Sequence, residues 1–214
     1  MPLSPRSNDV LKLYSSIGPN PHTVRMFAAE KGIPLDIQEV DILKGENRQD
    51  WYYAVNPLGT TPALVLVDGT VVTETLASCE YLEEVCPKPA LIGTTPEERA
   101  AVRSWVRRID LSFVLPLTLG FRASEGRPMF EPRMRVMQEA AAPDLKAMAQ
   151  DFLTHIEQQC TGEDFIAGPA FSLADILLFC FVDFGRSLGY DMPGERPWLS
   201  DWADRVGMRS SAVG

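Results

Sequence analysis

The sequence is poor in the residues that hold metals or build disulfide frameworks. It contains two histidines, His22 and His155, and four cysteines without a Cys-x-x-Cys pair. This composition excludes a zinc ribbon, a His-rich metal centre and a disulfide scaffold. We therefore expect reduced thiols, most of them packed in cores, and no bound metal.

Long apolar segments and basic runs are also missing. The longest apolar stretch, residues 176–182, has seven residues, whereas a helix needs roughly 20 to cross a bilayer. Twenty Lys and Arg oppose 29 Asp and Glu, so the net charge is −9 and nucleic acid is an unfavourable partner. Residues 1–9 are polar and lack the apolar core of a secretory signal. These features predict a cytoplasmic protein with a flexible tail at residues 1–9 that binds neither membrane nor nucleic acid.

The first 86 residues alternate between strand and helix patterns. A strand at residues 11–14 leads through a Gly-Pro-Asn-Pro turn into a helix that ends near Gly32, and a second strand follows within residues 33–40. Asp68-Gly69 then predicts a β-hairpin, and residues 75–85 return to helical spacing. Because a β-α-β start forces a parallel pair and a hairpin adds antiparallel strands, we predict a mixed four-stranded sheet. This is the layout of a thioredoxin-like domain.

The second half of the chain contains helical patterns and no convincing strand. Prolines and a glycine crowd residues 87–96, which is the composition of a linker. We predict a long helix from Glu97 that Pro116 bends or ends, and a helical region at residues 132–159 that Pro143 breaks or starts. A very apolar helix and a last short helix follow. The predicted organisation is an α/β domain at residues 10–86, a linker at residues 87–94 and an all-α domain at residues 95–214.

Pro62 belongs to the first motif with chemical meaning, Asn-Pro-Leu-Gly-Thr-Thr-Pro-Ala-Leu at residues 56–64. A cis Thr61–Pro62 bond directly before a strand would leave the main chain of Thr61 free to pair with an extended peptide. The alternative is a trans proline that merely starts a strand.

Glu74 and Thr75 form the second motif, at the start of the helix that follows the hairpin. A helix N-terminus offers unpaired N–H groups and a positive dipole end to a carboxylate, Thr75 adds a hydroxyl, and Glu74 can pair with an ammonium group. The pair therefore fits an α-amino-acid zwitterion. The alternative is ordinary helix capping by Thr73 or Thr75.

These two motifs, the β-α-β start and the helical second half make the sequence resemble the cytosolic glutathione transferases over nearly its whole length. Ser172-Leu173-Ala174-Asp175 is similar to the family's capping box, and residues 196–199 are similar to the start of its final helix. The resemblance implies the glutathione transferase fold, a thioredoxin-like domain followed by an all-α domain. It also implies glutathione as co-substrate and a homodimer.

The resemblance also implies roles for individual residues. Thr61, before Pro62, would exchange main-chain hydrogen bonds with the cysteinyl unit of glutathione, and Glu74 with Thr75 would hold its γ-glutamyl end. Lys44 is the candidate partner of the glycyl carboxylate, with an exposed loop lysine as the alternative. Candidates for an electrophile pocket come from the loop after the first strand and from the first helix of the second half. They are Ile17, Asp110, Phe113, Val114 and Phe121. The alternative is that the apolar side chains at helical spacing belong to a core.

The loop after the first strand departs from the common family patterns. Alignment on Val24-Arg25 places Gly18 where several classes carry a catalytic Ser or Cys, and the loop has no cysteine. In this respect the sequence resembles a bacterial and fungal branch without an obvious Tyr, Ser or Cys catalyst, in which the first helix N-terminus and nearby polar groups stabilise the thiolate. Candidate donors are Asn20, Ser16 and Ser15, each of which is also explained as a helix cap or turn residue.

The resulting functional prediction is a glutathione transferase that stabilises the thiolate of glutathione and conjugates it to a small hydrophobic electrophile. Other glutathione chemistry stays open, namely ether cleavage, dehalogenation, isomerisation or peroxide reduction, because these reactions share the glutathione site and differ in the second pocket. A noncatalytic binder of glutathione or hydrophobic ligands is the alternative from another class.

Overall fold

The computed structural model describes residues 10–192 and 194–213, and these divide into two compact units. The α/β unit comprises residues 10–92 and 210–213, and the helical unit comprises residues 93–192 and 194–209. The predicted flexible tail at residues 1–9 lies outside the described residues. No helix of the described part of the chain combines the length and the apolar character needed to span a membrane.

The α/β unit is built on the predicted mixed sheet of four strands. The strands are β1 (Leu11–Ser15), β2 (Leu35–Glu39), β3 (Ala63–Val65) and β4 (Val71–Thr73), in the order β2-β1-β3-β4. β1 pairs in parallel with β2, whereas the β1–β3 and β3–β4 pairs are antiparallel. The prediction of a thioredoxin-like mixed sheet is therefore confirmed.

Three helices accompany this sheet: α1 (Pro19–Glu30), α2 (Asp50–Tyr53) and α3 (Thr75–Val85). α1 supplies the β1-α-β2 crossover, and its apolar face is completely buried at Val24, Met26 and Phe27. Leu13 of β1 and Leu64 of β3 are equally enclosed. Burial of such side chains contributes about 1.5–3 kcal/mol each, so the core holds the start of α1 and the start of β3 in fixed positions.

The α/β unit extends beyond the predicted boundary at residue 86. The buried Lys31 ammonium lies 2.6 Å from Glu83 and donates to the carbonyl of Pro89 at 2.6 Å. The Glu83 carboxylate also accepts the main-chain N–H of Leu91. Residues 87–92 have the composition of a linker, but the buried ion pair of Lys31 with Glu83 holds them to the α/β unit.

The C-terminal residues also differ from the predicted division. A short 3-10 turn, Ser210–Ala212, belongs to the α/β unit and contacts α1. The Ser211 hydroxyl donates to the carboxylate of Glu30, and the ring of His22 forms a 3.1 Å hydrogen bond with the carbonyl of Ala212. These long-range bonds explain why residues 210–213 do not belong to the all-α part.

The described residues of the helical unit contain six α-helices and no named strand, in agreement with the predicted all-α domain. They are α4 (Pro96–Ile109), α5 (Leu115–Ala123), α6 (Arg127–Phe130), α7 (Ala142–Cys160), α8 (Leu173–Ser187) and α9 (Pro197–Gly207). α8 is buried over most of its length, in agreement with its apolar sequence. Its capping box is formed by Ser172 and Asp175.

Asp175 anchors the core of the helical unit. Its carboxylate accepts hydrogen bonds from the N–H and O–H of Ser172, the N–H of Ile166 and the indole N–H of Trp202, all between 2.9 and 3.0 Å. Burial raises the pKa of Asp175, and these hydrogen bonds to the carboxylate oppose the rise. The capping motif therefore also joins the start of α8 to α9.

Pro116 and Pro143 both lie in the first turn of a helix. Pro116 does not end the first long helix, because a π-helical turn, Asp110–Val114, joins α4 to α5 and Pro116 lies in the first turn of α5. A proline is tolerated there because it lacks only an N–H that needs no intrahelical partner. Pro143 lies in the first turn of α7, so it starts that helix, and residues 131–138 are not helical.

Candidate functional site

The loop before β3 presents an open main chain at Thr61. The Thr61–Pro62 peptide bond is cis, so of the two alternatives that the motif leaves open the trans proline is excluded. The Tyr52 hydroxyl and the Asn56 side-chain amide both donate to the carbonyl of Thr60 at 2.7 Å. Within residues 10–192 and 194–213, no hydrogen bond reaches the main-chain N–H or C=O of Thr61. The loop is therefore held rigidly on one side while Thr61 can pair with an extended ligand.

Gly59 is required for the shape of this loop. Its φ is +61°, and a Cβ atom there would lie 2.7 Å from the carbonyl oxygen of Asn47. The Asn47 amide in turn donates to the Gly59 carbonyl at 2.7 Å. Only glycine allows this close approach of two main-chain segments. Burial also raises the pKa of the supporting Tyr52, so its hydroxyl remains a donor.

Ser15 and Ser16 follow β1 and are both buried. The Ser15 hydroxyl accepts a hydrogen bond from the Arg25 guanidinium. The Ser16 hydroxyl donates to the Ile17 carbonyl at 3.1 Å and lies 2.6 Å from the Thr61 hydroxyl. The complete burial of Ser15 argues against its predicted role as a thiolate donor. Ser16 lies directly beside Thr61, so its role as a donor stays a prediction.

Asn20 and Thr75 connect the first turns of two helices. The Thr75 hydroxyl, at the start of α3, donates to Asn20 Oδ1, near the start of α1, at 2.9 Å. The side-chain nitrogen of Asn20 has no partner in the described part of the chain. Because Pro19 and Pro21 have no N–H, Asn20 also supplies a main-chain donor that its neighbours lack. The half-buried Asn20 can therefore donate to an anion at this helix end.

Glu74 has an unusual backbone conformation at the N-terminus of α3. With φ 73° and ψ 130°, it is the only described non-glycine residue with a positive φ. Such a conformation costs about 1–3 kcal/mol in a non-glycine residue. The exposed carboxylate makes no hydrogen bond or ion pair within the described residues. A strained residue with a free carboxylate beside free helix N–H groups can bind an amino acid zwitterion.

Lys44 does not join this group of residues. Its side chain is 80% exposed, and its ammonium lies 2.8 Å from the Asp41 carboxylate. The hydrogen bond from Lys44 lowers the pKa of Asp41. An open depression of about 420 Å³ lies beside this segment and is lined by Ile17, Glu39, Val40, Asp41, Ile42, Leu43 and Glu46. A role of Lys44 toward the glycyl carboxylate stays a prediction.

The predicted electrophile residues have different environments. Ile17 is 62% exposed in the α/β unit, whereas Phe113 is completely buried in the helical unit. Asp110 accepts a hydrogen bond from Arg107 at 3.2 Å, and Val114 is half-buried in the same π-helical turn. Phe121 contacts Phe130 and Phe184 edge to face. The burial of Phe113 favours a packing role, and the common pocket stays a prediction.

Three supporting side chains, Arg25, Tyr52 and Asn56, were not predicted as parts of the site. Asn56 and Arg25 stand inside the motifs that indicate the family, but no local pattern reveals their partners. Tyr52 lies in the aromatic cluster that precedes the motif. Their contacts with Thr60 and Ser15 arise from the packing of β1, α1 and α2, which sequence periodicity does not encode.

Family models match both halves of the chain. Residues 17–85 match the glutathione S-transferase N-terminal domain, and residues 124–209 match the glutathione S-transferase C-terminal domain. Glutathione S-transferase F10 of Arabidopsis thaliana is 30% identical over 94% of this chain and 94% of its own length. The protein belongs to the glutathione S-transferase family.

Further relatives differ in their named functions. Glutathione S-transferase 2 of Saccharomyces cerevisiae is 28% identical over 91% of this chain and 84% of its own. Protein LigF of Sphingobium sp. SYK-6, whose solved structure is described as a β-etherase, is 28% identical in the sequence comparison over 93% of this chain and 90% of its own. The family therefore includes proteins whose names denote different reactions.

Solved structures share the fold over nearly the whole chain. A glutathione S-transferase domain-containing protein from Marinobacter aquaeolei VT8 superposes with a TM-score of 0.87 at 31% identity, covering 94% of this chain and 100% of its own. A glutathione transferase homologue from Sulfitobacter, solved with bound glutathione, has a TM-score of 0.81 at 25% identity and covers 95% of both chains. These matches confirm the glutathione transferase fold.

Proposed function

We propose that this protein binds glutathione in its α/β unit, stabilises the glutathione thiolate and transfers it to a small hydrophobic electrophile. The observation that carries the proposal is the hydrogen bond from Thr75 to Asn20. It joins the motif suited to an amino acid zwitterion with the helix end suited to a thiolate. Family membership and the glutathione-bound homologue support the same ligand.

The γ-glutamyl end of glutathione is proposed to bind at the start of α3. Its carboxylate would accept hydrogen bonds from the N-terminal N–H groups and the Thr75 hydroxyl, and its ammonium would pair with Glu74. The free Glu74 carboxylate supports this role, since no described protein group competes for it. The open main chain of Thr61 would then pair with the cysteinyl unit, and Lys44 with the glycyl carboxylate.

The thiolate is proposed to form beside Asn20. A free thiol has a pKa near 8.5, and lowering it by about two units requires about 2.7 kcal/mol of preferential thiolate stabilisation. A helix N-terminus contributes up to about 2 kcal/mol, and a charge-assisted hydrogen bond contributes about 1.5–3 kcal/mol. The α1 dipole and one Asn20 donor are together sufficient, and no metal or covalent enzyme intermediate is needed.

Binding calorimetry of glutathione tests this proposal. Glu74→Gln should weaken binding by about 1.5–3 kcal/mol, because a charge-assisted contact to the ammonium is lost. Glu84→Gln removes an exposed carboxylate from the same helix and is the matched control, which should bind as tightly as the parent. Equal affinities of all three proteins would contradict the assignment. A homodimer in the cytoplasm is the further expectation from the family.

Cleavage of aryl ethers is the second candidate reaction, favoured by the similarity to LigF over nearly the whole chain. It uses the same glutathione thiolate, which would attack the carbon bearing the ether oxygen and displace a phenolate. Parallel assays with a chlorodinitrobenzene and with a β-aryl ether distinguish the two reactions. Turnover of the ether alone would show that ether cleavage, and not conjugation, is the main activity. Tight glutathione binding without turnover of either would support a binding protein.

A further inference from the structure

A separate cavity of about 190 Å³ lies within the helical unit. Its lining combines apolar side chains with two arginines and contains no carboxylate: Leu119, Arg122, Met134, Arg135, Val136 and Met137. This composition contrasts with the net charge of −9 of the whole chain. An apolar cavity of about 150 Å³ is already large enough for benzene, so a single-ring ligand fits this volume.

Arg122 is one of the two cations that line this cavity, and Arg135, which is exposed, is the other. The Nε atom of Arg122 is buried and has no hydrogen-bond partner among the described residues. Its guanidinium carbon lies 5.0 Å from the ring centroid of Phe130, so the aromatic ring covers one face of the cation. Burial lowers the pKa of Arg122. Arg122 as a whole is half-buried, so the rest of its guanidinium can reach a ligand, whereas the buried Nε–H lacks the hydrogen-bond partner that a buried polar group normally has.

The carboxylates close to Arg122 in the sequence already have other partners. Glu125 accepts from Lys146 at 2.7 and 2.9 Å and from the Tyr190 hydroxyl at 2.6 Å. Glu131 accepts from Arg127 at 2.5 Å. No described residue forms an ion pair with Arg122 or Arg135. The positive charge of the cavity therefore remains available to a ligand.

The lining residues outside α5 form the segment 134–137, which two hydrogen bonds hold in place. The Arg127 guanidinium donates to the carbonyl of Met137 at 3.0 Å, and the N–H of Met134 donates to the carbonyl of Phe130 at 3.0 Å. These bonds fix both ends of the segment 134–137, which supplies four of the cavity's lining residues. These bonds hold the non-helical segment in place although Met134, Arg135 and Met137 are exposed.

We propose that this cavity binds a small apolar anion, a single-ring organic carboxylate, with its carboxylate on Arg122 and Arg135 and its ring against Leu119 and the methionines. A planar guanidinium can donate two parallel hydrogen bonds to a carboxylate, which gives both affinity and orientation. The inference is independent of the proposed glutathione site, because none of its residues belongs to the α/β unit.

Calorimetric titration of the full chain with phenylacetate and phenylacetamide tests the proposal. The two probes have nearly the same size and differ in charge, so phenylacetate should bind at least tenfold more tightly with a 1:1 stoichiometry. Arg122→Met keeps an apolar stem against Phe130 and should abolish the preference for the anion. Arg135→Gln should reduce it severalfold. The matched control, Arg108→Gln, alters an exposed arginine of α4 that stacks on Trp105 and should leave both affinities unchanged.

Equal binding of the two probes, or an unchanged preference in Arg122→Met, would overturn the proposal. Arg122→Lys keeps the positive charge but lacks the planar guanidinium, so its preference for phenylacetate over phenylacetamide should be intermediate. This variant keeps the proposal testable if Arg122→Met is unstable. Glutathione is titrated into the same samples. Intact glutathione binding without anion selectivity refutes only the cavity proposal, and anion selectivity without glutathione binding refutes only the proposed function.

Discussion

Asn20 offers the sharpest test of how the thiolate is stabilised. Its Oδ1 is occupied by the Thr75 hydroxyl at 2.9 Å, which leaves the side-chain nitrogen as a donor. Asn20→Ala removes this donor while keeping the main-chain N–H and the α1 dipole. Asn20→Asp replaces the donor with a negative charge at the same place. Thr75→Val removes the hydrogen bond that orients the amide.

The expected effect follows from the energy of one charge-assisted hydrogen bond. Such a bond contributes about 1.5–3 kcal/mol, and about 1.36 kcal/mol corresponds to one pKa unit. The pKa of the bound glutathione thiol should therefore rise by about 1–2 units in Asn20→Ala. It should rise at least as much in Asn20→Asp, because the new carboxylate repels the thiolate. Thr75→Val should produce a smaller rise.

The assay is a pH titration of the ultraviolet absorbance of the thiolate at saturating protein. Each variant is compared with the parent, and binding is measured at every pH so that a loss of affinity is separated from a shift in pKa. An unchanged pKa in Asn20→Ala would refute the role of its side chain. A rise in Ser16→Ala alone would instead identify Ser16 as the donor.

Three further predictions concern stability. Glu74→Gly should raise the free energy of unfolding by about 1 kcal/mol, because relief of about 1–3 kcal/mol of strain exceeds the entropy cost of glycine, whereas Glu74→Ala should give no such gain in urea denaturation. Lys31→Met should lower the free energy of unfolding by about 3–5 kcal/mol, because it leaves the buried Glu83 carboxylate without its partner. The double variant Lys31→Met/Glu83→Gln should recover part of this loss. If the changes in unfolding free energy of the two single variants simply added up in the double variant, the pairing would be contradicted. Burial alone would raise the pKa of Glu125, but hydrogen bonds led by that from Lys146 lower it from 4.5 to about 2. The unfolded state therefore binds this proton more tightly, so the stabilisation is present above pH 4.5 and is lost as the pH falls toward about 2. For this half-exposed group we expect about 1 kcal/mol in Glu125→Gln at neutral pH and a difference that shrinks in denaturation series at lower pH.

Local sequence signals predict the α/β unit well. The hairpin at Asp68-Gly69 and the β-α-β start each depend on residues close together in the chain, so their patterns are visible without a structure. Thr75 and Glu74 stand at a helix start for the same reason. The motif around Pro62 is visible in the same way, but it fits both a cis and a trans peptide bond, and the structure shows the cis form. The fold could therefore be derived from short segments.

Long-range contacts account for what the sequence did not reveal. The hydrogen bond between Asn20 and Thr75 joins residues that are 55 positions apart. The ion pair of Lys31 with Glu83 holds the segment after residue 86 to the α/β unit, although the composition of that segment indicates a linker. The passage of the first long helix through Pro116 depends on a π-helical turn, which has no simple periodicity. The partners of a side chain are fixed by packing, which a single sequence does not display.

The pKa of the thiol of glutathione bound to the unmodified protein shows whether the α/β unit binds and activates glutathione. Saturable binding with a thiol pKa of about 6–7 is expected, compared with about 8.5 for a free thiol. Such a value would establish that the α/β unit both binds glutathione and activates it. Binding with an unshifted pKa would contradict thiolate stabilisation, and no binding would contradict the glutathione site itself.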